Sequence, residues 1–225
     1  MKIKLLFIVG VVFMLVNLTG FFIPLFSFME TQCYQDTKVS PLYSKVEARL
    51  FNAEESDLAF VERVTDRVHN NMEKRWDNTS VPFFENYVLY GAKFILPSKF
   101  AEYEYCDYRK ALRRGFGLCS QYAMIMSAIL EENNIEVGIV DTGNHVLTYA
   151  GIDNEIYICD AYRNEFKKAP ENIEGDWFGG IKEYAPQKYI IEIVAYWIKW
   201  LLPLGLFILW FILRRIYENN KCEHK

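Results

Sequence analysis

Hydrophobic residues concentrate in two runs near the ends of the chain. Residues 5–28 carry no charged side chain, and residues 193–213 carry a single one, Lys199. A transmembrane helix needs about 20 consecutive apolar residues, so both runs are long enough to span a bilayer. Trp197 and Trp200 flank the lysine, which is typical of a membrane interface where a lysine reaches water. We therefore expect Lys199 to be an interfacial anchor.

Between these runs the pattern changes to helical periods. Apolar residues at three- and four-residue steps predict an amphipathic helix over 54–76. Segment 77–97 is expected to be largely irregular, with one short helix. A further helix is predicted from Ser98, as its cap, to about Arg114. Residues 120–132 are apolar on nearly every side, which is typical of a buried helix.

Three short β-rich runs follow the buried helix, at 136–140, 144–150 and 156–160. Turn residues such as Asp153 and Asn154 separate them, so they are predicted to form an antiparallel sheet. Helices followed by a run of strands in this way predict an α+β domain.

The predicted organisation is one α+β domain between two transmembrane helices. Its segments are an N-terminal anchor over 1–28, a linker over 29–45, the domain over 46–188, a transmembrane helix over 189–214 and a tail over 215–225. A cleaved signal peptide is the alternative for the first segment, because Lys2 and Lys4 precede its apolar stretch. We favour an uncleaved anchor, since no small-x-small cleavage site is evident.

The charges that flank the two runs predict the topology. Lys2 and Lys4 precede the first run, and Arg214 and Arg215 follow the second. Cytoplasmic ends carry the excess of Lys and Arg, so both termini are expected in the cytoplasm. The domain would then face the periplasm or the exterior of an inner or cytoplasmic membrane, with the lipid bilayer as a partner. The net charge of −4 gives no indication of nucleic-acid binding.

Cysteines are the first candidates for chemistry. In the predicted topology Cys33, Cys106, Cys119 and Cys159 lie outside the cytoplasm, where disulfides can form. Their spacing defines no disulfide framework, and a pair between Cys33 and Cys106 stays open. Cys159 is expected in the core, because it points to the opposite face of its strand from Asp160.

Cys119 differs from the other cysteines in its position. It follows two glycines in "GFGLCSQYA" and begins the predicted buried helix. The N-terminus of a helix carries about half a positive charge and free backbone N–H groups, and both favour the thiolate. The thiolate is the nucleophilic form of cysteine. It still needs a base, and the base needs an orienting group.

The sequence offers one histidine for that base. His224 lies in the predicted cytoplasmic tail, and His69 is expected on a solvated helix face. His145 begins the second predicted strand, and Asp160 ends the third. Strands joined by a short turn bring such residues together, so Cys119, His145 and Asp160 are predicted as nucleophile, base and orienting group.

This arrangement resembles the transglutaminase-like superfamily, whose Cys-His-Asp chemistry is that of papain-like thiol enzymes. That family places its cysteine at the start of a central helix and its histidine and aspartate on adjacent strands, in this chain order. The likeness covers roughly residues 55–165 and suggests a membrane-anchored bacterial member. It rests on Gly117-Leu118-Cys119, Ala123, Leu130, Asn144-His145-Val146 and Cys159-Asp160. Leu118 and Leu147 stand where the family often has an Asp or Asn and an aromatic residue.

The resemblance implies attack of a Cys119 thiolate on an amide or ester carbonyl through an acyl-enzyme. Water as acceptor makes a thiol protease or amidase, which we favour; an amine makes an acyltransferase, and a protein or peptide is the candidate substrate. Gly117, Gln121 and Asn144 are weak candidates for substrate binding, although an exposed position explains Gln121 more simply. No metal or cofactor is expected. The oligomeric state stays open.

Two further alternatives remain from the sequence. The domain could be a catalytically inactive binding or scaffolding module of a cell-envelope assembly, such as one for surface polysaccharide. The aromatic segment 176–184, "DWFGGIKEY", either covers the site or packs near the membrane, and the sequence favours the second.

Overall fold

The computed structural model describes residues 2–21, 55–74, 81, 83, 85–100, 103–170 and 172–223. The predicted linker over 29–45 and Cys33 lie outside the described residues. The chain divides into two compact units. One, the helical unit, draws on Met1–Tyr34, Ser80–Ala101 and Ile193–Lys225, and the other, the α+β unit, on Gln35–Thr79 and Glu102–Glu192.

Most of the described helices precede the main run of strands, as expected for an α+β chain. The helices are α1 (Lys2–Phe21), α2 (Asp57–Asn71), α3 (Tyr87–Ile95), α4 (Pro97–Phe100), α5 (Tyr108–Arg114), α6 (Cys119–Glu132), α7 (Ile181–Tyr184) and α8 (Pro186–Glu223). The strands are β1 (Glu73–Lys74), β2 (Phe116–Gly117), β3 (Glu136–Asp141), β4 (Val146–Ile152), β5 (Glu155–Asp160), β6 (Glu165–Lys168) and β7 (Asp176–Phe178).

The α+β unit is built on a five-stranded antiparallel sheet. Its strand order is β6-β5-β4-β3-β7, so β3, β4 and β5 form the predicted meander at the centre. In register, Ile139 pairs with Thr148 and Thr148 with Cys159. A separate parallel pair joins β1 to β2 just before α6.

Helix α6 forms the core of this unit against the inner face of the sheet. Its side chains from Gln121 to Ser127 are buried, as are Ile129 and Leu130. Thr148 in β4 donates its hydroxyl to the carbonyl of Ala123 at 3.1 Å, which fixes the helix to the central strand. Helix α2 contributes a buried stripe of Phe60, Val61, Val64 and Val68.

The α+β class and the helix-then-meander order are therefore confirmed, with some differences in detail. Ser56 caps α2 through its side chain. The single helix predicted from Ser98 is wrong. Two short helices occupy that region, and the side chain of Asp107 caps the second by accepting from the N–H of Arg109. The edge strands β6 and β7 were not predicted, because both are short.

The helical unit contains a polar contact inside an apolar environment. Pro203 lies within α8 and has no N–H to donate to the carbonyl of Lys199, one turn earlier. Two side chains replace that donor: Asn17 Nδ2 at 2.6 Å and the Tyr87 hydroxyl at 2.5 Å. The ring of Phe13 packs on Tyr87 with centroids 4.6 Å apart. Helices α1, α3 and α8 thus share one hydrogen-bonded carbonyl.

Among the described residues, one helix is long and apolar enough to cross a membrane, at Pro186–Asn219. The N-terminal helix is apolar over the shorter stretch Lys4–Leu18. The predicted N-terminal span therefore stays a prediction. Lys199 is buried and its ammonium donates to the carbonyl of Glu85 at 2.8 Å, so the expectation that it reaches water is wrong.

Candidate active site

Cys119 occupies the first turn of the buried central helix. The preceding helix ends at Gly115 with φ of 75°, a left-handed conformation that favours glycine. The chain then runs through β2 and the extended residue Leu118 into α6, and no side chain caps that end of the helix. Cys119 is half-buried and carries a free thiol. Its sulfur therefore lies where the helix dipole and the first backbone N–H groups favour negative charge.

Gly117 and Gln121 set the position of this helix start. A Cβ at Gly117 would lie 2.6 Å from Cβ of Gln121, so the glycine allows a close approach. Gln121 is wholly buried, and its side-chain amide accepts from the N–H of Tyr105 and donates to the carbonyl of Tyr105, both at 2.8 Å. The expected exposed position of Gln121 is wrong. These contacts explain both residues structurally, and their role in substrate binding stays a prediction.

His145 and Asp160 are directly hydrogen-bonded. Nε2 of His145 lies 2.6 Å from Oδ2 of Asp160, and both side chains are buried. Thr142 holds the backbone of His145 by donating its N–H and its hydroxyl to the His145 carbonyl, at 3.0 and 2.9 Å. The other oxygen of Asp160, Oδ1, accepts from the N–H of Arg163 at 3.1 Å. The pair is thus fixed from both strand ends.

Cys119 and the start of β4 pack in the same region, and a direct contact between the Cys119 sulfur and the His145 ring stays a prediction. Cys119 lies against a buried cluster that includes Ala123, Ile139 and Val146, and Val146 follows His145 directly in the chain. The helix start and the beginning of β4 therefore share one apolar core. Asn144, the other sequence candidate at this turn, is exposed.

Two residues that sequence analysis did not select support the pair. The ring of Tyr162 lies 5.8 Å from the His145 ring and 5.3 Å from the Tyr122 ring, centroid to centroid. Nδ1 of His69 donates to the carbonyl of Ala161 at 2.9 Å. The expectation of a solvated His69 is therefore wrong, because its ring is partly buried and holds the turn that follows Asp160. In the sequence, only the position of Tyr162, two residues after Asp160, could have indicated that it lies near the pair.

A family model described as a transglutaminase-like domain matches residues 42–173, more than half of the chain. This chain belongs to the transglutaminase-like domain family. A solved structure described as the crystal structure of a TGase is also similar, with a TM-score of 0.33 and 11% identity. That similarity covers 69% of this chain and 40% of the other, so the chain spans less than half of that protein's length. No curated protein matches the sequence.

The transglutaminase-like domain departs from the pattern often seen in its family at two of these positions. Leu118 provides no side-chain cap to α6, where an Asp or Asn would. Leu147 lies half-buried on β4, paired with Val140. Both departures leave the residue types at 119, 145 and 160 unchanged as Cys119, His145 and Asp160.

Aromatic residues from β7, α7 and the start of α8 pack in the region of the cysteine. Phe178, Tyr184 and Tyr189 pack against the cluster that also holds Cys119. Burial raises the pKa of Tyr184, and the nearby carboxylates of Glu104 and Asp141 raise it further. Its hydroxyl is therefore a hydrogen-bond donor at neutral pH. Of the two alternatives for the aromatic segment, packing at the site agrees with the structure.

Charged and polar groups complete this side of the site. Lys188 Nζ lies 2.6 Å from Oε2 of Glu104, and the Ser120 hydroxyl donates to the other oxygen, Oε1, of the same carboxylate. Ser120 is the neighbour of Cys119, so the contacts of Glu104 join the first turn of α8 to the start of α6. No sequence motif marks these residues, because they come from three separate segments.

The other described thiols differ from Cys119 in environment. Cys106 and Cys159 are buried and free. Burial raises the pKa of Cys106 to about 12, with Glu192 adding to the effect, and burial also raises the pKa of Cys159. Both thiols therefore stay protonated and unreactive at neutral pH. The predicted core position of Cys159 is confirmed, since it is 1% exposed.

Proposed function

We propose that this chain is a membrane-anchored transglutaminase-like cysteine enzyme with Cys119 as its nucleophile. The observation that carries the proposal is the 2.6 Å bond between His145 Nε2 and Asp160 Oδ2, next to the helix that Cys119 begins. With Nε2 held by the carboxylate, Nδ1 is the ring nitrogen that would exchange a proton with the thiol. Asp160 would fix the tautomer and orientation of the ring.

The proposed reaction is acyl transfer from an amide or ester. The Cys119 thiolate forms a bond to the carbonyl carbon, and the bond to the amine or alcohol breaks as the His145 imidazolium gives that leaving group its proton. His145 then takes a proton from water, which attacks the acyl-enzyme and releases a carboxylic acid and the thiolate. An amine in place of water would give transfer. The backbone N–H groups at the start of α6 would stabilise the oxyanion.

Acyl-enzyme formation is the direct test of this chemistry. The full-length protein in detergent is mixed with p-nitrophenyl acetate and quenched in acid, and the site of acetylation is located by mass spectrometry. We expect one acetyl group on Cys119, absent in Cys119→Ala and retained in the control Cys106→Ala. Absence of acetylation at Cys119 in the folded wild type would favour the inactive scaffolding module instead.

The proposed location is an inner or cytoplasmic membrane, with the domain on the periplasmic or extracellular side. The apolar length of Pro186–Asn219 supports one span. The bond from Asn17 to Lys199 supports retention of α1 beside that helix, because cleavage after a signal peptide would remove Asn17. Flanking Lys2, Lys4, Arg214 and Arg215 indicate cytoplasmic ends.

Reporter fusions test this topology. A compartment-specific reporter fused after Lys225 should be active only in the cytoplasm, and one inserted near Asn78 only outside it. A fusion at Lys225 that is active outside the cytoplasm would contradict the two-span topology while leaving the proposed chemistry intact.

A further inference from the structure

The bend between α3 and α4 presents three consecutive apolar side chains away from the protein. Phe94, Ile95 and Leu96, here called the apolar elbow, are 69%, 80% and 49% exposed. In the part of the chain that the structure describes, no other large hydrophobic side chain is as exposed as Phe94 or Ile95. Ile208, in the candidate membrane span, reaches 62%. The elbow is thus as accessible as the apolar surface of a transmembrane helix.

The local backbone explains why these side chains cannot turn inward. Helix α3 is anchored by its first turns, where Tyr87 and Leu89 are buried. Leu96 caps the end of α3 by donating its N–H to the carbonyl of Ala92, and its non-helical backbone separates α3 from α4, which begins at Pro97. Phe100, at the end of α4, is buried again. Both ends of the bend are fixed, and the apolar elbow lies at its tip.

The apolar elbow belongs to the same compact unit as the candidate membrane helix. The Tyr87 hydroxyl at the base of α3 binds the carbonyl of Lys199 in α8, and the ammonium of Lys199 binds the carbonyl of Glu85 just before α3. Ordered contacts therefore hold the elbow to the part of α8 that holds Lys199. A bilayer that receives α8 is within reach of the elbow for this reason.

The side chains next to the elbow have the composition of a membrane interface. The Lys93 ammonium lies 3.8 Å from the Tyr90 ring centroid and 5.3 Å from the Phe94 ring centroid. The Tyr90 and Phe94 rings contact each other edge to face at 5.5 Å. Aromatic rings with a lysine are enriched where hydrocarbon meets headgroups, because the stem and rings are apolar and the ammonium stays polar.

We propose that the apolar elbow inserts into the hydrocarbon boundary of the bilayer as a membrane contact additional to the spanning helices. This proposal rests on the proposed membrane anchoring, and its occupant is lipid. An apolar patch at the tip of a short helix gains free energy at such a boundary, whereas in water it would stay hydrated at a cost. A second copy of the chain on this surface is the competing occupant.

Lipid quenching of a site-specific probe tests the proposal. A small fluorescent amino acid is placed at Ile95, at Ile208 as the reporter of the span, or at Ile156 as a control. Ile156 is 44% exposed and lies in β5 of the α+β unit. Each full-length variant is reconstituted in vesicles of phosphatidylcholine, with or without bromine on the acyl chains, and iodide in the buffer reports access to water.

We expect the probe at 95 to lose about half of its emission in brominated lipid and to resist iodide, as the probe at 208 does. The probe at 156 should respond only to iodide. If lipid quenches the probe at position 208 while the probe at 95 responds only to iodide, like the probe at 156, the elbow proposal is overturned and the membrane anchoring stands. If neither 208 nor 95 is quenched by lipid, the anchoring itself fails. Protection of 95 from both quenchers would overturn the proposal in favour of a protein partner.

Discussion

Removal of the Tyr87 hydroxyl should destabilise the protein only while Pro203 is present. The hydroxyl donates to the carbonyl of Lys199, and Asn17 donates to the same oxygen. Tyr87→Phe keeps the ring that packs on Phe13 and deletes one of these donors. Pro203→Ala restores a backbone N–H one turn after Lys199, so the carbonyl regains the partner that a regular helix provides.

The geometry sets the expected magnitudes. Hydrogen bonds between membrane helices are worth about 0.6 kcal/mol on average and up to about 1.7 kcal/mol. Tyr87→Phe alone leaves the Asn17 bond, so we expect a loss of about 1 kcal/mol in the free energy of unfolding. Tyr87→Phe with Asn17→Leu removes both donors and leaves a buried carbonyl unsatisfied, which costs about 1–3 kcal/mol. With Pro203→Ala present, these losses should fall close to zero.

The assay is a reversible unfolding titration with SDS in mixed micelles, followed by circular dichroism, on the four combinations of a double-mutant cycle. Tyr90→Phe is the matched control, because Tyr90 is on the same helix and its ring also contacts Phe83. A coupling energy near zero between Tyr87→Phe and Pro203→Ala would refute the reasoning.

Three further outcomes follow from the structure. Gly117→Ala should lower the free energy of unfolding by about 1–3 kcal/mol in a thermal or denaturant titration, because its Cβ would overlap Gln121. Gly91→Ala is the control, because a Cβ at Gly91 meets no atom within 4 Å, and equal losses in the two variants would contradict this. Cys106 has a folded pKa raised to about 12, so its contribution to stability is present below about pH 9 and lost as the pH rises toward 12. Cys106→Ala should flatten that alkaline decline in unfolding titrations, and an unchanged slope would contradict it. Tyr162→Ala should slow p-nitrophenyl acetate acylation of Cys119 without unfolding the domain, since Tyr162 packs on His145. An unchanged acylation rate would show that Tyr162 does not help to position His145.

The local chain pattern was enough to predict the centre of the α+β unit. A nearly uniform apolar run marks α6 because that helix is buried on most sides, and turn residues separate β3, β4 and β5. His145 and Asp160 could be selected because a short β-meander forces its strand ends together. The fold class and the three candidate catalytic residues could therefore be predicted from the sequence.

The contacts that the sequence did not reveal join distant segments. Glu104, Ser120 and Lys188 meet only after folding, so no local spacing marks them. The same holds for His69 and the carbonyl of Ala161, 92 residues apart. The break between α4 and α5 was missed because both helices are short and Asp107, rather than Ser98, provides the cap of the second.

The central claim, that Cys119 is a nucleophile assisted by His145 and Asp160, is tested most directly by its alkylation rate. Iodoacetamide labelling of the folded, full-length protein is followed by mass spectrometry at about pH 6.5, below the range in which an ordinary thiol reacts well. We expect Cys119 to label faster than Cys33, Cys106 and Cys159. The His145→Ala variant should slow that labelling strongly and Asp160→Asn more mildly. Labelling of Cys119 no faster than the other thiols, or an unchanged rate in His145→Ala, would contradict the claim.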